Sequence, residues 1–420
     1  MHSNIFLNPS SSVSDIISTS PPPSADCVSD SAAAIQAFHT QLPDYNVTPL
    51  VPVPSLAAEL RLAHVLLKDE SSRFGLPAFK ILGASWAVHR AVAARMGFPP
   101  TVSPADLRDK NINNNNNNNN IFRLVTCTDG NWGRAVARMA RLLALPARIF
   151  VPNTMDAPTR HKIASEGADV RVVPGDYDAS IAAAKHDADD DTAPVAPLLV
   201  MDTSWDGFEE IPSWVVDGYS TMLNETDRQL AALGHSRIPA CVIASVGVGS
   251  WAQAVTAHYK SKPRRADDDD DDDDDEQEQQ PDAAAPQQTT RVVAVEPTTA
   301  ACLQTSLRAD RIVPIATGNT IMCGMNWGTV SSLAWPVLRA GIDASVLVSD
   351  RESHAATADL HALGVACGPC GAAPLAALRR LCRDGKAAAA LGLGPDAVVV
   401  LFSTEGQRPY EVPEPDVDDA

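Results

Sequence analysis

Short apolar runs rich in β-forming residues alternate with Ala-rich stretches of helical character along most of the chain. The apolar runs cover residues 122–127, 147–151, 168–173, 198–201, 240–246, 291–295 and 397–402. Stretches such as GRAVARMARLLAL and SWAQAVTAHYK lie between them. Strands that alternate with helices are typical of βα units, whose parallel strands are buried on both faces. The pattern therefore predicts an α/β protein with two open, mainly parallel sheet domains, which bind ligands at the carboxyl ends of their strands.

Three segments interrupt this pattern. Residues 1–30 are rich in Ser and Pro, so we predict a largely disordered tail. The Asn tract at residues 111–120 cannot bury apolar surface and is expected to lie in a surface loop. Residues 266–290 combine the run Asp267–Asp275 with a Gln- and Pro-rich stretch, and we expect a disordered, solvated insertion. Binding of a cation or a partner by the Asp run stays an open alternative.

The composition of the 420-residue chain, with 45% hydrophobic and 20% charged residues, is that of a globular protein with a substantial core. The net charge is −19, but Asp267–Asp275 supply nine of these charges, and no basic cluster is present to attract nucleic acid. No apolar run approaches the roughly 20 residues that span a bilayer. The N-terminus also lacks the basic and apolar regions of a secretory signal. We therefore predict a cytoplasmic protein that binds neither membrane nor nucleic acid.

The cysteines point to the same compartment. Eight cysteines without regular spacing are typical of reduced thiols. Cys367 and Cys370 form a C-x-x-C pair, but no second pair of ligands accompanies them. We therefore expect no metal site.

The stretch KDESSRFGLPAFK ends at Lys80, in an apolar and helix-forming setting. A lysine that is kept away from water loses its proton readily and can form a Schiff base with an aldehyde cofactor. A helix can equally bury the methylenes of a lysine while its amine reaches water. Lys80 alone does not decide between these interpretations.

Two glycine-containing turns follow predicted strands. TDGNWG places Asp129 and Asn131 at a turn into a helix, where free backbone N–H groups suit an anion. GVGS, with Gly247, Val248, Gly249 and Ser250, opens the next such helix and suits a phosphate. GVGS lacks the third glycine and the ribose-binding acid of the dinucleotide fingerprint. Each turn is also compatible with an ordinary capped connection.

Two further polar groups follow strands. Asp202 comes after LLVM, where a carboxylate can serve as a general acid or base, or simply cap a helix. STEG follows the last predicted strand and supplies the hydroxyls of Ser403 and Thr404, unless it is a simple turn. Taken together with Lys80 and the glycine turns, this set fits pyridoxal phosphate. Lys80 would form the imine, the glycine turn would bind the phosphate, and a hydroxyl would meet the pyridine nitrogen.

The order of Lys80, DGN, GVGS and STEG resembles the fold type II pyridoxal-phosphate enzymes of the tryptophan synthase beta-like superfamily, which include threonine and serine dehydratases. The closer likeness is to the diaminopropionate ammonia-lyase family. It covers roughly residues 40–260 and 290–410. The stretches that carry it are KDESSRFGLPAFKILGAS, TDGNWGRAVA, VPNTMDAPTRHKIASEGADV, DTSWDGFEEIPSWVVDGY and TGNTIMCGMNWGTVSSLAWPVL.

The resemblance implies a domain division and a cofactor site. Residues 31–95 and 203–415 would form the larger, cofactor-binding domain and residues 96–202 the smaller one, with the active site in the cleft between them. The implied roles are an imine at Lys80, a bond from Asn131 to the ring hydroxyl, and a phosphate site at residues 247–250. Thr404, or less favourably Ser403, would meet an unprotonated pyridine nitrogen.

The resemblance also implies the reaction. Asp129 and Asp202 would be acid/base carboxylates that let both enantiomers of the substrate react. The family usually reads DGNHG, whereas this chain has Trp132 at the position of the histidine, which puts substrate preference or rate in doubt.

The implied activity is α,β-elimination of 2,3-diaminopropionate to pyruvate and two ammonia, through an external aldimine and an aminoacrylate. The enzyme would act in amino-acid catabolism as a homodimer. Two alternatives stay open, a dehydratase that releases hydroxide from threonine or serine, and a binding protein that kept the fold without the chemistry. The residues do not favour the D or the L enantiomer of the substrate.

Overall fold

A computed structural model describes residues 4–11, 25–116, 122–175, 177–190, 192, 195–261 and 289–414. Eleven strands lie in two sheets within these residues. In chain order they are β1 (Ile5–Leu7), β2 (Leu50–Pro52), β3 (His64–Asp69), β4 (Phe122–Cys127), β5 (Ala147–Pro152), β6 (Asp169–Val173), β7 (Ala196–Leu199), β8 (Cys241–Ser245), β9 (Arg291–Pro297), β10 (Ala344–Val348) and β11 (Val398–Ser403).

The helices fall between and after these strands. They are α1 (Ala25–His39), α2 (Pro54–Leu60), α3 (Lys80–Arg95), α4 (Pro104–Asn116), α5 (Asn131–Leu142), α6 (Ala157–Ala164), α7 (Tyr177–Ala188), α8 (Glu210–Gly218), α9 (Ser220–Ala232), α10 (Ser250–Lys260), α11 (Cys302–Ala309), α12 (Trp335–Gly341), α13 (Asp350–Ala362), α14 (Pro369–Arg383) and α15 (Gly385–Ala390). A short 3-10 turn covers Cys323–Met325. Local signals explain several starts, since Asp156 caps α6 and Ser349 with Glu352 forms a capping box on α13.

The larger sheet has seven strands in the order β1-β10-β9-β8-β11-β3-β2. Its five central strands are parallel, and the two edge strands β1 and β2 pair antiparallel to their neighbours. Every residue of β8 is buried, and so are all residues of β11 except the first. Continuous burial is expected for parallel strands that are covered on both faces.

The smaller sheet has four parallel strands in the order β6-β5-β4-β7. Its inner strand β4 is buried along its whole length. Together the two sheets confirm the predicted α/β class with two open, mainly parallel sheets.

One hydrophobic core joins the two sheets. It contains Leu124 and Val136 from the smaller sheet and its helix, and Val242 and Phe402 from the larger sheet. Since each of these four side chains is fully or almost fully buried, the relative position of the sheets is set by apolar packing.

Helix α3, which begins at Lys80, lies unusually close to α8. A Cβ on Gly218 would be 2.6 Å from the carbonyl oxygen of Leu82, and a Cβ on Gly83 would be 2.8 Å from both Val215 Cγ1 and its carbonyl oxygen. Only glycine at these two positions permits this contact between the two backbones. The start of α3 is therefore held firmly against the larger domain.

All seven predicted runs form strands, although β7 lies two residues before the predicted 198–201. The sequence pattern missed β1, β2, β3 and β10. The two edge strands have only three residues each, too few for a pattern to be visible. β3 begins with a histidine and ends with Lys68 and Asp69, so its apolar centre is short.

Two predicted segments need correction. The predicted disordered tail at residues 1–30 is wrong for residues 5–7, which pair with β10. The Asn8 side-chain amide holds this segment in place, because it donates to the carbonyl oxygens of Arg339 and Ile342. The predicted tail is also wrong for residues 25–30, which are helical. The predicted loop at residues 111–120 is wrong for 111–116, which extend α4. Asn111 is buried there and donates to the Leu143 carbonyl oxygen at 2.9 Å.

The remaining predictions on insertions lie mostly outside the described residues, namely 117–120 and the run Asp267–Asp275. The proposed domain limits at residues 95 and 202 stay a prediction. Within the described part of the chain, no helix has the length and apolar character that a membrane crossing needs. The same residues contain no cluster of three or more His, Cys, Asp or Glu side chains placed to bind a metal ion.

Candidate active site

A cavity of about 850 Å³ lies where the carboxyl ends of β4, β8 and β11 meet the start of α3. This is the edge at which an open parallel sheet binds ligands. The cavity brings together residues that are up to 324 positions apart in the chain. The sequence-predicted residues that line it are Lys80, Asp129, Asn131, Gly247, Val248, Gly249, Ser250 and Thr404. Asp202 and Ser403 are not among its lining residues.

Asp202 nevertheless contacts the centre of the site through Lys80. The Lys80 Nζ atom donates to Asp202 Oδ2 at 2.7 Å, and the Asp202 side chain is only 1% exposed. Burial alone would lower the pKa of Lys80, but the charge and the hydrogen bond of the Asp202 carboxylate outweigh it and raise that pKa above its ordinary value. Asp202 therefore favours the charged form of the Lys80 amine, and the role of Lys80 as a Schiff-base lysine stays a prediction. A carboxylate absent from the local sequence keeps the amine charged.

The segment before Lys80 is attached to the segment after β11. The backbone N–H of Phe79 donates to the Thr404 carbonyl oxygen at 3.3 Å, and that of Gly406 donates to the Pro77 carbonyl oxygen at 2.8 Å. The Phe79 ring packs on Tyr219 and Trp251, with centroid distances of 5.0 and 5.2 Å. These contacts explain why Lys80 and Thr404 face the same cavity.

Asp129 also lines the cavity and follows the end of β4. Burial raises the pKa of Asp129 to about 7. The nearby charges of Asp202 and Glu405 also raise this pKa, whereas the charge of Lys80 lowers it. Among the described residues, Asp129 Oδ2 and Asp202 Oδ1 are buried oxygens without a hydrogen-bond partner. Buried carboxylate oxygens without partners are costly. They are therefore suited to accept hydrogen bonds or protons from a cationic ligand.

Helix α5 begins at Asn131 and projects this residue into the cavity. Thr128 shapes the turn, because its hydroxyl oxygen accepts from the N–H groups of Gly130 and Gly133, both at 2.9 Å. A Cβ on Gly133 would be 2.3 Å from Thr128 Cγ2, so this position requires glycine. The Asn131 Nδ2 atom donates to Glu405 Oε2 at 3.3 Å.

Trp132, at the position of the family histidine, is 2% exposed and packs in the core that joins the sheets. Its indole N–H donates to the Thr126 hydroxyl at 2.8 Å. The indole polar group is thus satisfied inside the smaller domain. The tryptophan acts on the site through packing beneath Asn131, although part of its surface also lines the cavity.

The glycine loop between β8 and α10 has the geometry of an anion site. Gly249 has a φ of +104°, and a Cβ on Gly247 would be 2.9 Å from the Trp327 ring. The Ser250 hydroxyl donates to the Asp202 carbonyl oxygen at 2.6 Å and so holds the loop next to Asp202. Because α10 begins at Ser250, its first N–H groups have no acceptor within the helix. A bare backbone cradle at a helix N-terminus fits a phosphate group.

Ser403 and Thr404 occupy different environments at the end of β11. Thr404 lines the cavity. The Ser403 hydroxyl is buried without a hydrogen-bond partner among the described residues, and a Cβ on Gly371 would be only 2.7 Å from its oxygen. Gly371 belongs to α14, so the Ser403 hydroxyl faces that helix. Position in the cavity therefore favours Thr404 as the ligand-binding hydroxyl.

The sequence analysis missed Glu405. This carboxylate is 4% exposed and lines the cavity beside Asn131. Its oxygens accept from the Cys370 backbone N–H at 3.1 Å and from Arg408 Nε at 3.3 Å. The sequence signal for Glu405 is an acidic residue directly after a buried strand, in the STEG stretch that also supplies the hydroxyls of Ser403 and Thr404.

These features define a site for a phosphate-bearing aldehyde cofactor, with a lysine amine, a bare glycine cradle and carboxylate oxygens that lack partners. The family described as "Pyridoxal-phosphate dependent enzyme" matches residues 42–405. The chain belongs to this family. The cofactor is therefore pyridoxal 5'-phosphate, as the residue pattern predicted.

Within this family, the chain is similar to diaminopropionate ammonia-lyases. It is 32% identical to the Salmonella typhimurium protein of that name over 320 residues, which are 75% of this chain and 72% of the relative. It is 28% identical to the Escherichia coli K12 protein over 386 residues, 89% and 88% of the two chains.

Solved structures agree with these sequence matches. The Escherichia coli diaminopropionate ammonia lyase in complex with D-serine superposes with a TM-score of 0.78 and 25% identity, covering 96% of this chain and 93% of the other. The same enzyme in complex with an aminoacrylate-PLP azomethine reaction intermediate gives a TM-score of 0.76. The resemblance inferred from sequence is confirmed, as is the fold type II architecture.

Proposed function

We propose that this protein is a pyridoxal-phosphate-dependent carbon–nitrogen lyase that converts 2,3-diaminopropionate to pyruvate and two ammonia. The observation that carries this proposal is the placement of two carboxylates near the Lys80 amine, with Asp202 paired to that amine and Asp129 lining the same cavity. Each carboxylate has an oxygen without a partner among the described residues. A substrate with two amino groups supplies the cationic hydrogen-bond donors that these oxygens lack. The similarity to diaminopropionate ammonia-lyases supports the same substrate.

The cofactor site follows from the same residues. Lys80 would be the attachment point for the cofactor aldehyde, and residues 247–250 would hold its phosphate. Asn131 would donate to the ring hydroxyl, and Thr404, rather than the enclosed Ser403, would meet the pyridine nitrogen. A hydroxyl at that position would leave the pyridine nitrogen unprotonated. When bound, pyridoxal phosphate supplies an electron sink for the electrons of the broken Cα–H bond.

The chain's own residues move the protons. We assign Lys80 with Asp202 as the base for one enantiomer and Asp129 as the base for the other. Asp129, whose pKa burial raises to about 7, both holds and releases a proton near neutral pH. As the bond from Cβ to the distal nitrogen breaks, a protonated carboxyl gives its proton to the departing amine. Both enantiomers are therefore expected to react.

The environment of the enzyme is part of the proposal. We place it in the cytoplasm as a homodimer that binds no nucleic acid and acts in amino-acid catabolism. The seven cysteines whose side chains the structure describes are all free thiols, as is usual in a reducing compartment. The net charge of −19 disfavours a nucleic-acid partner. Size-exclusion chromatography with light scattering tests the homodimer, and a mass equal to one chain contradicts it.

A product assay tests the reaction itself. The purified holoenzyme is incubated with D- and L-2,3-diaminopropionate, and in parallel with D- and L-serine and L-threonine. The expected result is two ammonia for each pyruvate from both diaminopropionate enantiomers, with the highest kcat/KM for these substrates. Faster formation of pyruvate from serine, or of 2-oxobutyrate from threonine, would identify a dehydratase. A protein that binds the cofactor and converts none of these amino acids would be a non-catalytic member of the family.

A further inference from the structure

Glu405 connects the two sides of the cleft. It follows β11 of the larger sheet, whereas Asn131 opens helix α5 of the smaller sheet, 274 positions earlier in the chain. The Glu405 carboxylate is buried, and its Oε2 atom accepts from Asn131 Nδ2 at 3.3 Å. This hydrogen bond therefore joins two residues of the cavity wall that follow strands of different sheets.

The carboxylate of Glu405 is held rigidly. Its Oε1 atom accepts from the Cys370 backbone N–H at 3.1 Å and from Arg408 Nε at 3.3 Å. A Cβ on Gly368 would be 2.6 Å from the same oxygen, so glycine at 368 makes room for the side chain. With Oε1 bound by the larger domain, Oε2 is directed at Asn131.

A carboxylate determines which end of an amide faces it. An ionised carboxylate accepts hydrogen bonds and donates none, so the Asn131 NH₂ group faces Glu405 and the amide oxygen faces away. One of the two N–H bonds of Asn131 is then used by Glu405, and the second remains for another acceptor. The ring hydroxyl of pyridoxal phosphate, when ionised, is such an acceptor.

We propose that Glu405 is a positioning residue, which orients the Asn131 amide so that its second N–H binds the ring hydroxyl of the cofactor. This inference rests on the proposed function for the role of Asn131 and adds the residue that sets its geometry. Glu405 acts through Asn131. It also links the smaller domain to Arg408 in the C-terminal segment, whose guanidinium donates to the carbonyl oxygen of Ile321 at the cavity wall.

The substitution Glu405→Gln tests this role with little change of shape. A glutamine presents either an oxygen or an NH₂ group to Asn131, so the amide is no longer held in one orientation. Titration of the apo-enzyme with pyridoxal phosphate is expected to show about tenfold weaker binding. The visible absorption maximum of the bound cofactor is expected to shift, because the ring hydroxyl loses a hydrogen bond. Glu210→Gln, at an exposed glutamate of α8 that does not line the cavity, is the control and is expected to behave as the parent protein.

A double-mutant cycle separates positioning from general damage to the fold. In an Asn131→Ala background, Glu405→Gln is expected to cause no further loss of cofactor affinity. Equal losses in both backgrounds, or a Glu405→Gln protein with the parent's affinity and spectrum, would overturn the proposal. If Glu405→Gln does not fold, Glu405→Asp replaces it, since the charge opposite Arg408 is kept while the reach to Asn131 is shortened. These measurements involve no amino-acid substrate, so a failure here is distinct from a failure of the proposed reaction.

Discussion

At the scale of residues, the properties of Lys80 depend on partners that are distant in the chain. Its amine pairs with Asp202, 122 positions later, and Asp129 lies across the same cavity. Burial would favour a neutral lysine, but the Asp202 carboxylate reverses this effect. A charged amine therefore lies beside a buried carboxylate, and the proposed attachment of the cofactor at Lys80 would require that amine to give up its proton.

Replacement of Lys80 tests its role as the attachment point. Lys80→Ala is expected to lower turnover of diaminopropionate by more than about 10³-fold, because the nucleophilic amine and one proton acceptor are lost together. Borohydride treatment of the parent holoenzyme is expected to fix the cofactor to the chain, and mass spectrometry of Lys80→Ala is expected to show no such adduct. Lys386→Ala, at an exposed lysine on α15, serves as control with parental activity. Parental turnover by Lys80→Ala would contradict the assignment.

Asp129 predicts a pH dependence of stability. Its pKa is raised from 3.8 to about 7 in the folded protein. Between these pH values the folded state holds a proton that the unfolded state has lost, so the contribution of Asp129 to stability falls as the pH rises and is lost above pH 7. Asp129→Asn, which cannot ionise, is expected to be more stable than the parent apo-protein by about 4 kcal/mol at pH 8 and similar to it at pH 4.

Urea unfolding of both proteins across this pH range measures the difference. Other groups that titrate near neutral pH, such as Glu296, are common to both proteins and cancel in the comparison. A stability difference that stays constant with pH would show that Asp129 has an ordinary pKa.

At the scale of elements, the loop between β8 and α10 adopts its shape because its glycines have no side chains. Trp327 lies against the space where a Cβ of Gly247 would be, and the φ of +104° at Gly249 is one that other residues rarely adopt. The backbone can then approach a phosphate without obstruction from side chains. The short sequence GVGS is weak evidence when read alone. The packing of Trp327 shows why glycine is required there.

Gly247→Ala tests this packing. The added methyl group would be 2.9 Å from two atoms of the Trp327 ring and 3.0 Å from the Gly324 carbonyl oxygen. We expect a loss of about 1–3 kcal/mol in the free energy of unfolding, from overpacking, together with weaker pyridoxal phosphate binding. Gly385→Ala is the matched control, since its Cβ would meet no atom within 4 Å. Unfolding in urea and cofactor titration check both effects, and parental values for Gly247→Ala would refute the tight-packing argument.

At the scale of the whole molecule, a buried group of charges joins β3, the segment that leads to Lys80, and helix α9. Glu225 accepts from Lys68 at 3.0 Å and from Arg73 at 2.7 Å, and Arg73 also pairs with Glu70 at 2.6 Å. All four side chains are 0% exposed. Buried ions are stable only when each is paired, so this group holds the KDESSRF segment in one arrangement.

Removal of one charge tests the group. Glu225→Gln leaves two buried cations with one carboxylate, and we expect a loss of about 3–5 kcal/mol in the free energy of unfolding. Glu59→Gln, which removes a 43%-exposed partner of Arg379, is expected to change it by less than about 0.5 kcal/mol. Denaturant unfolding of the two variants gives the comparison. Equal effects would mean that the buried charges contribute no more than the surface pair.

The elements that could be predicted from sequence share a physical property. Parallel strands such as β4 and β8 are buried on both faces, so each appears as a short run of mainly apolar and β-forming residues. The edge strands β1 and β2 have three residues each and leave no such run. An Asn tract has no apolar face and therefore predicts a loop at Asn111. The Asn111 amide instead donates to the carbonyl oxygen of Leu143, which follows helix α5.

The sequence by itself determined the α/β class, the residues at the carboxyl ends of the strands, and the cofactor that such residues bind, because these properties follow from local periodicity and from side-chain chemistry. Only the tertiary structure decided that Lys80 is charged by Asp202, that Thr404 rather than Ser403 opens into the cavity, and that Glu405 holds Asn131. These outcomes depend on contacts between segments up to 274 positions apart. Charge interactions and burial act through space, and a linear pattern does not contain the distances on which they depend.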